Sequence, residues 1–171
     1  MKKLIVAVVL FFIGLVIFMP KENLLSTLKS LLKKEHIEIV SNDTKDRLID
    51  LKLDDTLFIY DGIESLEAKS ISVKPWIFYN KIEANALAPT KGLRGILNVK
   101  ADEFTITHSI LKPTIANINA TGKFGELDGF ADLKKRSIYL LLKPSEAFKN
   151  SKIVRDYFKK SKEGLVYESN F

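Results

Sequence analysis

The stretch from residue 49 to residue 74 decides the fold of this chain, and it reads IDLKLDDTLFIYDGIESLEAKSISVK. Its apolar residues recur at every second position on both sides of Asp61-Gly62, a dipeptide that is typical of tight turns. This alternation predicts two antiparallel strands, each with one buried and one polar face. The alternation slips by one position near Ser70, which predicts a β-bulge there.

The same pattern continues toward the C-terminus, where proline and glycine separate further alternating segments. Together with the opening stretch they predict a mainly β domain of about eight to ten short, mostly antiparallel strands. The later predicted strands are Ile82–Ala88, Ile96–Lys100, Phe104–His108, Ala116–Ala120, Leu127–Leu133, Ser137–Leu142 and Leu165–Tyr167.

Basic residues are concentrated in a late segment, because residues 143–163 carry seven basic and three acidic side chains. Apolar residues at helical spacing predict an amphipathic helix over residues 145–162. Its basic face includes Lys152, Arg155 and Lys159. This face is either solvated or a contact site for anionic lipid or an acidic partner.

The N-terminus carries an apolar run from Leu4 to Met19 that contains no charged residue. A helix of this length spans about 24 Å, slightly less than the ~30 Å hydrocarbon layer of a membrane. No small-residue cleavage site follows the run, so residues 1–20 are predicted to form an uncleaved transmembrane signal anchor. A signal peptide that is cleaved at an atypical site is the alternative. The predicted lipid contacts of the anchor are Leu4, Phe11, Phe12 and Phe18.

The charges around the apolar run predict its orientation. Lys2 and Lys3 precede it, which favours a cytoplasmic N-terminus and export of the rest of the chain. Residues 21–36 have a leucine stripe and predict an amphipathic helix, either packed on the domain or lying on the membrane surface. Residues 37–171 then form the exported domain. The frequent Lys, Ile and Asn residues suggest a bacterial source, so the expected location is the inner membrane with a periplasmic domain.

The side-chain inventory argues against catalysis. The chain has no cysteine and two histidines, neither within a closely spaced set of metal ligands, so we expect no metal and no cofactor. The adjacent pairs Asp54-Asp55 and Asp102-Glu103 point to opposite faces of a strand and cannot act together as acid and base. Residues 21–142 carry 18 basic and 17 acidic groups, a balance that excludes nucleic acid as the expected partner.

One dense aromatic cluster stands out in the exported part. Trp76, Phe78 and Tyr79 follow directly after Pro75. The cluster is either a buried corner beneath the proline bend, or a rim that contacts an acyl chain or a partner protein.

The run from Leu51 through Pro75-Trp76 to Leu87, with its alternating residues, proline, hydrophobic turn and return strand, resembles a known arrangement. Together with the glycine-punctuated strand pair of residues 122–144, it is similar to AsmA-like envelope proteins and to type II secretion protein N. The resemblance covers residues 37–144 and implies an antiparallel sheet that curves into an open groove or taco. The basic segment after residue 144 has no counterpart in this resemblance.

These observations predict a non-enzymatic, membrane-anchored protein of envelope biogenesis. It would act as a lipid-conduit element whose groove shields acyl chains, or as a secretion-system component that docks another envelope protein. A membrane-tethered scaffold is the alternative, and an envelope hydrolase is the weaker one. The lipid-conduit and secretion versions differ in whether the concave face of the sheet is filled by side chains.

Overall fold

The computed structural model describes residues 2–76 and 78–171, without the side chains of Lys2, Lys3, Ile5, Val8 and Val9. Two helices come first, α1 (Lys2–Ile17) and α2 (Lys21–Lys34). Ten strands and one short helix follow in the order β1 (Ile37–Asp46), β2 (Leu51–Tyr60), β3 (Ile63–Pro75), β4 (Tyr79–Pro89), β5 (Ala101–Ser109), β6 (Ile115–Gly122), β7 (Gly125–Asp132), β8 (Ser137–Pro144), α3 (Lys152–Tyr157), β9 (Lys159–Lys160) and β10 (Leu165–Asn170).

All ten strands form a single open antiparallel sheet. The strand order is β1-β2-β3-β4-β5-β6-β7-β8-β10-β9, so nearly every strand pairs with its neighbour in sequence. The prediction of a mainly β, antiparallel domain is therefore confirmed. The solvent-accessible surface is 11881 Å², whereas a compact monomer of 19.4 kDa exposes about 8,500 Å². The excess surface reflects one sheet that lacks a second full layer packed against it.

One face of the sheet, here called the inner face, carries the core. Two clusters of buried residues lie on it, one around Leu53 and Ile71 and the other around Leu142 and Val154. Both clusters contact Leu87 and Phe104, so the apolar surface is continuous across the sheet. Helix α2 packs beside β1 and adds Leu25 to the first cluster, as its leucine stripe predicts.

A line of interrupted pairing crosses the sheet. It passes through Asn42, Asp55, Lys69, Ala86 and Asp102, one residue from each of the first five strands, and we call it the crease. Asp55 and Ala86 have positive φ angles of 47° and 54°. Along a strand, consecutive residues of the inner face are two positions apart. At the crease they are three positions apart, as from Ala68 to Ile71 in β3.

The β-bulge predicted near Ser70 is absent, because β2 and β3 keep the same register through this point. The slip in the alternation belongs instead to an interruption that five strands share. The bulge between these strands lies elsewhere, where the register shifts between Phe58 and Ile59. We call the α1 side of the crease the near half of the sheet and the other side the far half. In β6, β7, β8 and β10, where pairing is uninterrupted, these names refer to the corresponding ends of the strands.

The late helix is the clearest wrong prediction. Instead of a helix over residues 145–162, helix α3 covers Lys152–Tyr157 alone. Ser151 caps it by accepting a hydrogen bond from Val154 N at 3.3 Å. Lys159–Lys160 pair with β10 instead of continuing the helix, because strand pairing satisfies the backbone groups while Val154 and Phe158 pack on the core. The predicted strand at Ile96–Lys100 is also absent, and these residues belong to the connection between β4 and β5.

The N-terminal run forms a helix, as predicted, and ends at Ile17 before the bend at Pro20. No helix within residues 2–76 and 78–171 is by itself long and apolar enough to cross a membrane. Taken together, Leu10–Ile17 and Lys21–Lys34 have the length and composition of a span, but they are bent by 57°.

Candidate functional site

The aromatic cluster predicted from the sequence lies in the turn between β3 and β4. Trp76, Phe78 and Tyr79 are all substantially exposed, which argues against a buried corner. The Trp76 indole Nε1 donates to the carbonyl oxygen of Ile49 at 3.3 Å and so links this turn to the one between β1 and β2. The cluster therefore forms a rim at the near end of the sheet.

Helix α1 packs against this rim. The rings of Phe12 and Phe78 lie 5.2 Å apart at an interplanar angle of 53°. An apolar cavity of about 400 Å³ separates α1 from the turns. It is lined by Phe12, Ile13, Val16, Ile17, Leu48, Ile49, Trp76, Phe78 and Tyr79. Of the predicted anchor residues, Leu4, Phe11 and Phe18 expose their side chains, whereas Phe12 is half-buried.

Strand register places apolar side chains in two straight rows across the inner face. Residues that pair in register stand side by side on adjacent strands, so each row follows the pairing from β2 to β10. The first row is Leu53, Ile71, Ala84, Phe104, Ala120, Leu127, Leu142 and Leu165. The second row is Leu51, Val73, Ile82, Ile106, Ile118, Gly129, Leu140 and Tyr167.

The two rows differ in how well they are covered. Most of the first row is buried beneath α2, α3 and neighbouring side chains. The second row lies nearer the α1 end, and beyond Leu51 its members are only half-buried. With strands about 4.8 Å apart, seven steps make this row roughly 34 Å long. The second row is thus an elongated, half-buried apolar surface.

The basic residues predicted as a contact site lie elsewhere. Lys152 and Arg155 are exposed on α3, and Lys159 is exposed in β9. Helix α3 covers the second core cluster through Val154, which is buried. Lys152, Arg155 and Lys159 therefore belong to the segment that follows β8, whereas Trp76, Phe78 and Tyr79 belong to the turn between β3 and β4. The structure does not gather the six predicted residues into one site.

A cleft of about 720 Å³, lined by both charged and apolar side chains, lies beside the crease in the far half. Arg94 reaches across it, contacting the carboxylate of Glu67 and donating from Nε to the carbonyl oxygen of Pro89 at 3.1 Å. Lys69 and Lys100 also line the cleft, together with Asp55. The buried Thr56 hydroxyl in its wall has no hydrogen-bond partner.

The two histidines and Glu83 each contact nearby polar groups. His36 Nδ1 lies 3.3 Å from Asp61 Oδ1, and His108 Nε2 lies 3.0 Å from the carbonyl oxygen of Pro113. Hydrogen bonds from Lys74 and Lys81 lower the pKa of Glu83 below its usual value of 4.5. Within residues 2–76 and 78–171 there is no cluster of three or more His, Cys, Asp or Glu residues that could bind a metal ion.

Comparison with known proteins adds no relative. No family model, no curated protein and no solved structure matches this chain.

The structure also reveals site residues that the sequence reasoning missed. Leu48, Ile49 and Leu111 are exposed apolar residues in turns, where polar residues are the rule. Leu48 and Leu111 fall between the alternating segments, so strand periodicity does not include them. Ile49 was included as a strand residue, whereas the structure places it in the turn before β2. The useful signal is their position in turns that the antiparallel order brings to one end of the sheet.

Proposed function

We propose that this protein is a non-enzymatic, single-pass component of the bacterial cell envelope that holds lipid acyl chains along the inner face of its sheet. In this proposal α1 anchors the chain in the inner membrane with a cytoplasmic N-terminus, and the sheet is periplasmic. The half-buried second row, which runs without a charged residue from Leu51 to Tyr167, carries the proposal.

The chemistry of the second row favours an acyl chain over a polar ligand. Burying apolar surface contributes about 25 cal/mol per Å² removed from water, and a row of half-exposed Ile, Leu and Val side chains leaves that contribution unused. A narrow, extended, apolar ligand matches the row in length and shape. A lipid-conduit element of the AsmA-like kind would use such a surface to pass chains along the sheet.

The exposed apolar side chains of α1 support its proposed role as a membrane anchor. Leu4, Phe11 and Phe18 present large apolar side chains outward, and Phe18 is 85% exposed. Contiguous apolar surface of this kind marks a contact with a membrane or a partner. Fusion of a periplasm-dependent reporter enzyme to Phe171 tests the orientation: activity is expected, and an inactive fusion with a stable chain would contradict a periplasmic domain.

Photo-crosslinking in living bacteria tests the groove. Benzoylphenylalanine at Ile118, in the second row, is expected to form lipid adducts that mass spectrometry detects. The same residue at Asn117 is the matched control, because its exposed side chain points to the opposite face of β6. Lipid should also co-purify with the unmodified chain in mild detergent. Equal adduct yields at both positions, or no adduct at Ile118, would rule out an acyl-chain groove.

A second candidate function is docking of another envelope or secretion protein by strand addition. The observation that favours it is β1, a ten-residue edge strand that pairs only with β2 among the described residues. Benzoylphenylalanine at Val40 in β1 should then give a discrete protein adduct. The same residue at Lys159, in the two-residue strand at the opposite edge, should not. A membrane-tethered scaffold would give the adduct at Val40 but no lipid at Ile118.

A further inference from the structure

The near end of the sheet carries a row of four turns, at residues 47–50, 110–114 and 133–136 and between β3 and β4 at Trp76 and Phe78. The antiparallel order places them there, because every second connection of such a sheet lies at the same end. We call them the turn edge. Large exposed apolar side chains occur in or directly beside all four turns and at the C-terminus, which lies next to the fourth. They are Leu48, Ile49, Trp76, Phe78, Tyr79, Ile110, Leu111, Leu133 and Phe171.

Hydrogen bonds connect the turn edge from one side to the other. The indole of Trp76 donates to Ile49, and the backbone N–H of Ile110 donates to the carbonyl oxygen of Phe78 at 3.2 Å. Leu133 N donates to Thr114 O at 2.8 Å, and Phe171 N donates to Arg136 O at 2.8 Å. The apolar side chains are thus held on one connected frame, which lowers the entropy that binding would cost.

Within the four turns the exposed charged residues are all basic, namely Arg47, Lys112, Lys134, Lys135 and Arg136. Directly beside the first turn lies the exposed acidic residue Asp46, which is paired with Lys21. The single acidic residue within the four turns, Asp50, is buried and accepts a hydrogen bond from Ser72 Oγ at 2.7 Å. Asp132, also buried, accepts from the backbone N–H groups of Lys134 and Lys135 at 3.0 Å and so orders the last turn. This pattern suits an apolar layer beneath an anionic surface.

Helix α1 sets the depth of the turn edge. Phe12 contacts Phe78, and it lies five residues before the end of α1 at Ile17. At 1.5 Å per residue, the contact is about 7.5 Å inside that end. If α1 enters a bilayer, the turns beside it reach the interfacial layer, where amphipathic elements insert by about 5–10 Å. Trp and Tyr are enriched at this depth.

We infer that the turn edge is a second membrane contact, which docks on the anionic surface of the bilayer that α1 enters. Its apolar side chains insert among the acyl chains near the headgroups while its lysines and arginines contact anionic headgroups. The strands then rise away from the membrane, and the second row opens a short distance above it. This inference rests on the proposed anchoring by α1.

Single-cysteine labelling of the full chain tests the inference, because the natural sequence contains no cysteine. A nitrobenzoxadiazole label is attached at Leu111→Cys in the turn edge or at Ile96→Cys in the far half. The two positions are matched, since Leu111 is 88% and Ile96 is 77% exposed. Each protein is reconstituted into phosphatidylethanolamine–phosphatidylglycerol vesicles and into neutral phosphatidylcholine vesicles, with or without nitroxide-labelled lipid.

In anionic vesicles the Leu111→Cys label should emit at shorter wavelength and be quenched by nitroxides placed near the headgroups. The Ile96→Cys label should emit as it does in water. Exchanging Lys112, Lys134 and Lys135 for Gln should shift the docking equilibrium by roughly a hundredfold, since each basic group near an anionic surface favours contact by about 1 kcal/mol. Labels at both positions that emit alike in every vesicle would overturn the inference. Equal insertion in neutral vesicles would overturn the role of the lysines.

Two further readouts separate this inference from the proposed function. Extraction of the chain from membranes by alkaline carbonate would show that α1 is no anchor, whatever the label reports. Loss of lipid adducts at Ile118 would contradict the acyl-chain groove and leave the turn edge unaffected. An aqueous Leu111→Cys label in a chain that resists extraction contradicts the turn edge alone.

Discussion

The near and far halves of the sheet are built from the same strands, yet they present different surfaces. In the near half two apolar rows cross the inner face from β2 to β10, and the strands end in turns with exposed apolar and basic side chains. In the far half a charged cleft lies beside the crease, and the turns include the acidic residue Asp61. The difference arises at the crease. There the alternation between inward and outward side chains shifts by one residue in five neighbouring strands at the same level. The aligned interruption of these strands thus separates an apolar surface in the near half from a charged surface in the far half.

The largest expected effect is in the core of the near half. Leu51 is 2% exposed and begins the second row. Leu51→Ala should lower the free energy of unfolding by about 2–5 kcal/mol, because a cavity remains where the side chain was. Ile63→Ala, at an exposed site in the far half, should change it by less than about 0.5 kcal/mol. Urea unfolding in mild detergent measures both, and equal losses would contradict the burial of Leu51 in the near half.

The next effect concerns the ion pair that joins α2 to the near end of β1. Lys21 is 3% exposed, and its Nζ lies 2.9 Å from Asp46 Oδ1. Asp46→Asn should cost about 2 kcal/mol, less than for a fully buried pair since water reaches Asp46. The exposed pair Lys33–Glu38 is the control, and Glu38→Gln should leave the midpoint of urea unfolding nearly unchanged. If both variants unfold alike, Lys21 is not held by its partner.

A stabilising change is expected in the far half. The Thr56 hydroxyl is buried without a partner, so Thr56→Val should raise the free energy of unfolding by about 1 kcal/mol. Thr90 is a matched control, because it is also buried but donates from Oγ1 to Glu64 O at 2.6 Å. Thr90→Val should therefore destabilise the protein by about 1 kcal/mol. Thermal unfolding monitored by circular dichroism shows whether each variant is stabilised or destabilised. A lower stability of Thr56→Val would indicate that the hydroxyl has a hydrogen-bond partner.

A smaller gain in the free energy of unfolding is expected for a substitution at the crease. Ala86 adopts a φ of 54°, a conformation that costs an L-residue about 1 kcal/mol and glycine nothing. Ala86→Gly should stabilise the chain by about 0.5–1 kcal/mol. Ala84→Gly, two residues earlier in β4 and buried, should destabilise it. A destabilised Ala86→Gly variant in the same unfolding assay would show that the positive φ carries no strain.

The smallest effect depends on pH. The pKa of Glu83 is lowered by Lys74 and Lys81, so the folded state binds the proton less readily than the unfolded state. This contribution is complete above about pH 4.5 and is lost as the pH falls through the lowered pKa. Glu83→Gln should therefore cost less than about 1 kcal/mol at neutral pH, and the two proteins should converge in acid. A difference that grows on acidification would reverse the sign and contradict the ion pairs.

Local patterns account for what could be predicted. The stripe of α2 and the alternation in β2 and β3 depend on neighbouring residues, so the predicted helix over 21–36 matches the observed Lys21–Lys34 closely. The slip near Ser70 was visible for the same reason. The helix predicted for residues 145–162 was wrong because its apolar spacing also fits α3 followed by a strand. There Lys159–Lys160 pair with β10 in a short hairpin, and β10 is held in the sheet by β8, a pairing that is not local in sequence.

By itself, the sequence determined the antiparallel β character of the domain, the apolar N-terminal helix and the absence of disulfides, since these follow from short-range periodicity and composition. Tertiary structure alone decided that the slip in β3 lines up with those of four other strands. It alone aligned Leu51 with Tyr167 in one row and brought Leu48, Trp76 and Leu111 to one edge. Each of these features depends on the register and order of paired strands, which no single segment encodes.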